Sequence, residues 1–357
     1  MDNPAAQFWK STKKDKVTCY LCPRGCILTE GKSGFCWTRK NVQGNMVLTT
    51  YGQASGFCVD PIEKKPLYHF YPGTSVFSFG TTGCNLACKF CQNWHMQTPE
   101  AIEKITNQKQ KASPEQIAQT AKELGCHSVA FTYNEPITFA EFAMDVAKAC
   151  RNIGIKTVAV TAGYITEEPR KDFFKYMDAA NVDLKAFTEE FYHKLTSTSL
   201  KPVLETLKYL AKETNVWLEI TNLIIPGEND DESEIHQMTE WIAKELRLDI
   251  PLHFSAFHPA FKMLDHQATP VQTLLKARQI ALSKGLRYVY AGNIVDAESS
   301  TTFCHHCKEL LIERYGFEIT TYKLKDKNKC PKCQTVCAGQ FSDKPGEWGS
   351  KRLPVSL

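Results

Sequence analysis

The chain has 357 residues, of which 43% are hydrophobic and 23% charged, ordinary values that exclude disordered and collagen-like architectures. A formal net charge of +4 is too small to argue for nucleic acid by itself, and no apolar run approaches the ~18 residues that a membrane helix needs. Fifteen cysteines, behind a Met1-Asp2-Asn3-Pro4 start without a signal-peptide layout, predict a cytoplasmic chain with metal sites and reduced thiols before disulfides.

In chain order, the first feature is a cysteine-rich segment. Cys19, Cys22, Cys26 and Cys36 lie on turn-rich, glycine-containing sequence, and their C-x2-C-x3-C-x9-C spacing does not match the bacterial ferredoxin run. Zinc, a second cluster and free thiols all remain open for them. From residue 76 onward strand and helix alternate. Short apolar strands are expected at 76–80, 128–132, 156–161, 182–185, 216–224, 252–257 and 288–291. Ser113-Pro114-Glu115-Gln116 is a capping box with proline at the first helical position. Residues 136–150 carry apolar side chains at helical spacing, and Thr269-Pro270 opens a helix that Gly285 ends. Six or seven such units predict an α/β fold, a partial or complete (β/α) TIM-like barrel with helices outside a parallel sheet. No Gly-x-Gly-x-x-Gly follows the first strand and no Walker motif appears, which disfavours a nucleotide-binding sheet.

The loop after the first expected strand reads Cys84-Asn85-Leu86-Ala87-Cys88-Lys89-Phe90-Cys91. Three thiolates at C-x3-C-x2-C can hold three corners of a cubane cluster and leave the fourth iron without a protein ligand, whereas an electron-transfer cluster normally has four. Three protein ligands and an open position is the layout for binding a reacting molecule. Near the C-terminus, Cys304-x2-Cys307 and Cys330-x2-Cys333 are knuckles 22 residues apart with a strand-like stretch at 317–324 between them, the pattern of a zinc ribbon. Lys323, Lys325, Lys327, Lys329 and Lys332 read as a solvated basic face. Cys58, Cys126 and Cys150 stand alone and read as small buried hydrophobes. The expected division is 1–72 for the Cys-rich segment, 73–298 for the barrel and 299–357 for the ribbon.

C-x3-C-x-aromatic-C on the loop after the first barrel strand resembles the signature of the radical S-adenosylmethionine (SAM) superfamily. "GCNLACKFCQNW" looks especially like the branch of pyruvate formate-lyase activating enzyme. With the N-terminal cysteines, "YNEP" and "VYAGNI", the chain resembles the AmmeMemoRadiSam-system radical SAM enzymes. The resemblance implies a 4Fe–4S cluster on Cys84, Cys88 and Cys91, with Glu135, Asp183 and Lys185 at strand ends binding SAM. His253 and Asn293 are further candidates for that cofactor site, and the segment 220–230 is expected near the adenosine. It implies reductive cleavage of SAM to a 5′-deoxyadenosyl radical that abstracts hydrogen from a substrate, with a glycine of a partner protein as the family-weighted guess. A one-electron donor such as flavodoxin or ferredoxin is implied, and neither a membrane nor nucleic acid is an expected partner. The competing account is a non-catalytic zinc-ribbon module that binds nucleic acid or protein, which leaves the central triplet unexplained.

Overall fold

A computed structural model describes residues 6–12, 15–97, 110–294 and 296–357; Met1 to Pro4 lie outside them. Seven parallel strands follow one another in sequence order: Ser75–Gly80, Ser128–Phe131, Lys156–Thr161, Ala179–Asp183, Trp217–Ile224, Leu252–Ala256 and Val289–Gly292. Among the described residues the last does not pair with the first, so the barrel is partial. Strand Gln53–Pro61 runs antiparallel beside Ser75–Gly80, and the short Leu353–Pro354 covers its outer edge. Gln53–Pro61 was not among the expected strands. It carries Gly56 and a bulge between Ser55 and Cys58, which break the alternation a strand needs to be read from sequence.

The fourth parallel strand begins earlier than the pattern suggests, at Ala179, because Asn181 is buried there with its amide donating to the Pro66 carbonyl (2.8 Å). Asp183 is therefore the last residue of the strand and Lys185 lies beyond its end. The helices start where their caps place them. Ser113 Oγ accepts from the Gln116 N–H (3.2 Å) while the Gln116 side chain accepts from the Ser113 N–H (2.8 Å), and Pro114–Glu123 buries Ile117, Ala118 and Ala121. A 3-10 turn, Pro136–Phe139, leads into Ala140–Asn152, which packs Phe142, Val146 and Ala147 inward. Val271–Ser283 stops two residues before Gly285, whose φ of 88° suits glycine. Phe77, Phe79, Val129, Phe131 and Leu218 are fully buried between sheet and helices, each worth roughly 1.5–3 kcal/mol of transfer free energy.

The N-terminal segment forms small antiparallel hairpins, Trp9–Thr12 with Lys16–Cys19 and Arg39–Val42 with Asn45–Leu48. Arg39 anchors it through a buried ion pair in which its Nη2 donates to both carboxylate oxygens of Glu141 (2.8 and 2.6 Å). The C-terminal sheet, Thr302–Phe303, Leu310–Tyr315 and Glu318–Tyr322, docks at the other end of the barrel. Its fully buried Arg314 donates to the Tyr68 carbonyl (2.7 Å) and to Thr302 Oγ1 (3.0 Å). No helix among the described residues is long and apolar enough to cross a membrane.

Candidate functional site

In a parallel barrel the backbone direction gathers every strand's C-terminal end, with its following loop, at one mouth. Here that mouth holds a cavity of about 200 Å³ lined by Cys84, Cys88, Cys91, Glu135, Asp183 and Lys185, together with Gln97, Asn134 and Thr161. Six of the residues singled out from sequence thus converge on one space. His253 and Asn293 do not line it. His253 is the second residue of Leu252–Ala256, so it faces the opposite end of the barrel, where its Nε2 meets Glu219 (2.6 Å) among Tyr68 and Tyr290. Asn293 stands past the last strand with its amide on the Ala256 carbonyl (3.2 Å).

The cysteine loop is held to the barrel by residues whose role no sequence pattern announces. Asn134 Oδ1 accepts from the Thr81 N–H (2.9 Å), and its Nδ2 donates to the Gly83 carbonyl (2.7 Å), clamping the strand-to-loop turn. Gly83 must be glycine: its φ is 92° and a Cβ there would meet the Cys36 carbonyl oxygen at 2.1 Å. Gly80 is needed for closeness, since a Cβ would stand 2.5 Å from the Thr132 carbonyl. Farther along the loop, Ala87 and Lys89 donate to the Thr196 and Leu195 carbonyls (both 2.9 Å).

Tyr133 and Asn134, which precede Glu135, each have a task in the structure. Tyr133 adopts φ 73°, costly for an aromatic residue. Its hydroxyl donates to Asp60 (2.9 Å) and its carbonyl accepts from Asn93 (2.9 Å), which together hold the turn. Burial works against the Asp60 charge, but Lys65 (2.7 Å) and Lys64 (2.9 Å) outweigh it and hold that carboxyl below the usual range.

Glu135 is 5% exposed and accepts from Thr161 Oγ1 (2.5 Å), the Ala162 N–H (2.7 Å) and the Ile137 N–H (3.2 Å). Burial pushes its carboxyl up, against those donors. Asp183 Oδ2 pairs with Lys185 Nζ (2.9 Å); the lysine is the more buried partner, 14% exposed against 34%. Burial opposes the lysine charge, yet Asp183 and the nearby Cys88 hold its pKa above the ordinary value. The segment expected near a nucleoside is wired to the same strand end: Asn229 Nδ2 donates to the carbonyls of Lys185 (2.7 Å) and Leu223 (2.9 Å), and Asn222 Nδ2 to that of Leu184 (2.8 Å).

Two features fit this cavity to a cluster and an anionic ligand. The three thiols are not drawn together as ligands of one ion would be. Among the described residues only Cys304, Cys307, Cys330 and Cys333 bring their ligand atoms within 4.8 Å of one another, and a tetrahedral zinc with bonds of about 2.3 Å spaces its sulfurs about 3.8 Å apart. In addition, Gln97 Nε2, a buried donor on a cavity-lining side chain, has no partner among the described residues. A cubane on Cys84, Cys88 and Cys91 and a carboxylate-bearing ligand answer both.

At the opposite end the C-terminal four-cysteine group closes to zinc-like distances, with Cys304–Cys333 and Cys307–Cys330 sulfurs 3.6 Å apart. The Thr335 hydroxyl (3.2 Å) and N–H lower the Cys333 thiol toward the thiolate a metal needs.

A partial barrel whose mouth carries three spread thiols, a buried acid and a partly buried Asp–Lys pair defines a cluster-dependent class of enzyme fold. Comparison with known proteins agrees. Residues 79–239 match the radical SAM superfamily, and residues 287–351 match the zinc-finger domain of monoamine-oxidase A repressor R1. The chain is similar to the uncharacterized protein MJ0808 of Methanocaldococcus jannaschii, 41% identical over 331 residues, covering 92% of this chain and 97% of that one. Pyruvate formate-lyase 1-activating enzyme of Escherichia coli K12 is 28% identical over 182 residues, 48% of this chain and 69% of that enzyme. A solved radical SAM methyltransferase from Sphaerobacter thermophilus aligns over 68% of this chain and 71% of its own at 16% identity, with a TM-score of 0.49. The chain belongs to the radical SAM superfamily, whose members use a 4Fe–4S cluster and SAM, and it carries a C-terminal zinc-finger-type domain.

Proposed function

We propose that this protein cleaves SAM reductively and abstracts hydrogen from a substrate, a glycine of a partner protein being the substrate class its kinship with activating enzymes favours. The observation that carries the reading is the convergence of Cys84, Cys88 and Cys91 with Glu135, Asp183 and Lys185 on one cavity at the strand ends. The three cysteines would hold the cluster. A cluster held there would supply one electron for the cleavage of a carbon–sulfur bond of SAM to methionine and a 5′-deoxyadenosyl radical, which would take hydrogen from the substrate.

The chain's own residues bind and orient. Glu135, fixed by Thr161 and Ala162, offers its remaining lone pairs to a cationic amino group. Asp183, the more exposed member of its pair, keeps Oδ1 for a donor on the ligand. Lys185 sets a positive charge beside Cys88 and offsets the thiolate charge of a loaded site. Gln97 Nε2 is the free donor for a carboxylate. Leu86 helps wall the cavity and keep water from the reacting centre. A one-electron donor of the flavodoxin or ferredoxin kind would complete the system. The test is anaerobic incubation of reconstituted protein with SAM, reductant and deuterated candidate partner proteins: deuterium appearing in 5′-deoxyadenosine supports the substrate class. Its absence with every protein partner, alongside its transfer from a small molecule, refutes it.

A further inference from the structure

The N-terminal cysteines are a site that the SAM cavity does not absorb. Cys19, Cys22, Cys26 and Cys36 come from a hairpin strand, the following turns and a second loop, yet all four line one enclosed space. Arg24, Arg39 and Asn85 complete its wall. We infer that these four cysteines hold an iron–sulfur cluster rather than zinc, a second cluster seated directly behind the cysteine loop of the barrel mouth.

The geometry separates the two metals. The C-terminal quartet brings its four sulfurs within 4.8 Å of one another, and no three of the N-terminal sulfurs do so. They line a small space of about 20 Å³, where the sulfurs of Cys84, Cys88 and Cys91 line one of about 200 Å³. A zinc site needs sulfurs about 3.8 Å apart, while a cluster interposes its own irons and sulfides between the thiolates.

The chain also dresses these thiols as ligands. Arg39 is 1% exposed, lines the same space as the four cysteines, and has an Nε–H without a partner among the described residues. A buried orphan donor beside four sulfurs is what an anionic cluster would satisfy.

Asn85 is also the hinge between the two sites. Its neighbour Cys84 lines the mouth cavity while Asn85 itself lines the N-terminal one. On the other side, the Cys36 carbonyl packs against Gly83 so closely that only a glycine fits. The second cluster would therefore stand one residue of backbone away from the first.

The experiment is anaerobic reconstitution of the whole chain with iron and sulfide, followed by iron, sulfide and zinc analysis and low-temperature EPR after dithionite reduction. C84A/C88A/C91A removes the mouth ligands and leaves the N-terminal four. The inference expects this variant to keep at least about two irons with matching sulfide and a reduced-cluster EPR signal, with about one zinc per chain from the C-terminal quartet. Adding Cys26→Ser and Cys36→Ser should remove that iron. The inference is overturned if C84A/C88A/C91A, folded by circular dichroism, binds no iron, or binds about two zinc ions in its place. Iron content of the wild-type protein decides the same question without a variant: about four irons would refute a second cluster, and six to eight support it. The inference stands apart from the proposed activity, because C26S/C36S reports on the mouth cluster alone. If that variant holds no iron, the reading of the mouth fails; if it holds about four and C84A/C88A/C91A holds none, only the second cluster fails.

Discussion

Replacing Glu135 by Gln separates a ligand-binding carboxylate from a purely structural one. In the native site both carboxylate oxygens are acceptors, Oε1 for Thr161 Oγ1 and the Ile137 N–H and Oε2 for the Ala162 N–H. Gln keeps one acceptor and presents an NH2 group to the remaining donors, of which the backbone N–H groups cannot reverse. If the amide oxygen stays on Ala162, Thr161 can rotate its hydroxyl to accept, but the Ile137 N–H loses its partner. Leaving one buried donor unsatisfied costs about 1–3 kcal/mol of stability. The structural penalty falls on folding and is visible as a lowered denaturation midpoint. Loss of the charge-assisted bond to the ligand amino group adds about 1.5–3 kcal/mol on SAM binding, a roughly ten- to hundredfold rise in Kd. Thr161→Val serves as the control: it removes one support of Glu135 while leaving the carboxylate, so it should lower stability comparably with a smaller effect on affinity. Equilibrium titration of reconstituted protein with SAM, beside urea denaturation, reads both quantities. Wild-type SAM affinity in Glu135→Gln, with stability lowered as in Thr161→Val, would show that Glu135 only buttresses the loop and would refute the reasoning.

Asp183→Asn should weaken SAM binding to a similar degree with unchanged iron content; unaltered affinity would contradict a role for the pair with Lys185. Cys304→Ala or Cys330→Ala should lose about one zinc per chain and loosen the C-terminal module, because metal binding and local folding form one equilibrium, while SAM cleavage persists at least in part; unchanged zinc in both variants, by elemental analysis, would remove the ribbon. Gly83→Ala should destabilise the cysteine loop and lower cluster occupancy, because its Cβ meets the Cys36 carbonyl at 2.1 Å; normal iron loading would contradict the close packing. Burial holds the His69 imidazole neutral in the fold, with its pKa lowered to about 4 between Glu219 and Arg314. The unfolded chain therefore binds the extra proton first as pH falls, and stability should decline from about pH 6.5 to about pH 4. His69→Gln should flatten that part of a urea-denaturation profile, and an unchanged slope would contradict a neutral buried imidazole.

Much of the site was legible because its elements obey local rules. The cysteine spacings, the capping box at Ser113 and Asp183 closing an apolar strand announce themselves without tertiary information, while Glu135, in a loop past its strand, was reached through the family resemblance. His253 shows where that logic fails. A histidine within an apolar strand reads as a functional group, but function at the barrel mouth depends on which end of the strand it occupies. Position two of Leu252–Ala256 points it to the far end, into a network with Glu219, which also accepts from Trp217 and the Tyr68 and His69 N–H groups. The clamp made by Asn134 was equally hidden, because its two partners, Thr81 and Gly83, lie more than 50 residues away in sequence. Gln97, a plain polar residue after the cysteine loop, becomes notable only when its amide is seen buried without a partner. Edge strand Gln53–Pro61 was missed because its bulge and glycine disguise the period.

The central claim is that Cys84, Cys88 and Cys91 hold the centre that cleaves SAM. Single-turnover incubation of anaerobically reconstituted protein with SAM and dithionite, quantifying 5′-deoxyadenosine, tests it most directly, with Cys84→Ala, Cys88→Ala and Cys91→Ala beside the wild type. The account predicts 5′-deoxyadenosine from the wild type and none above background from any of the three variants. Product formation at the wild-type level by any one of them would contradict it.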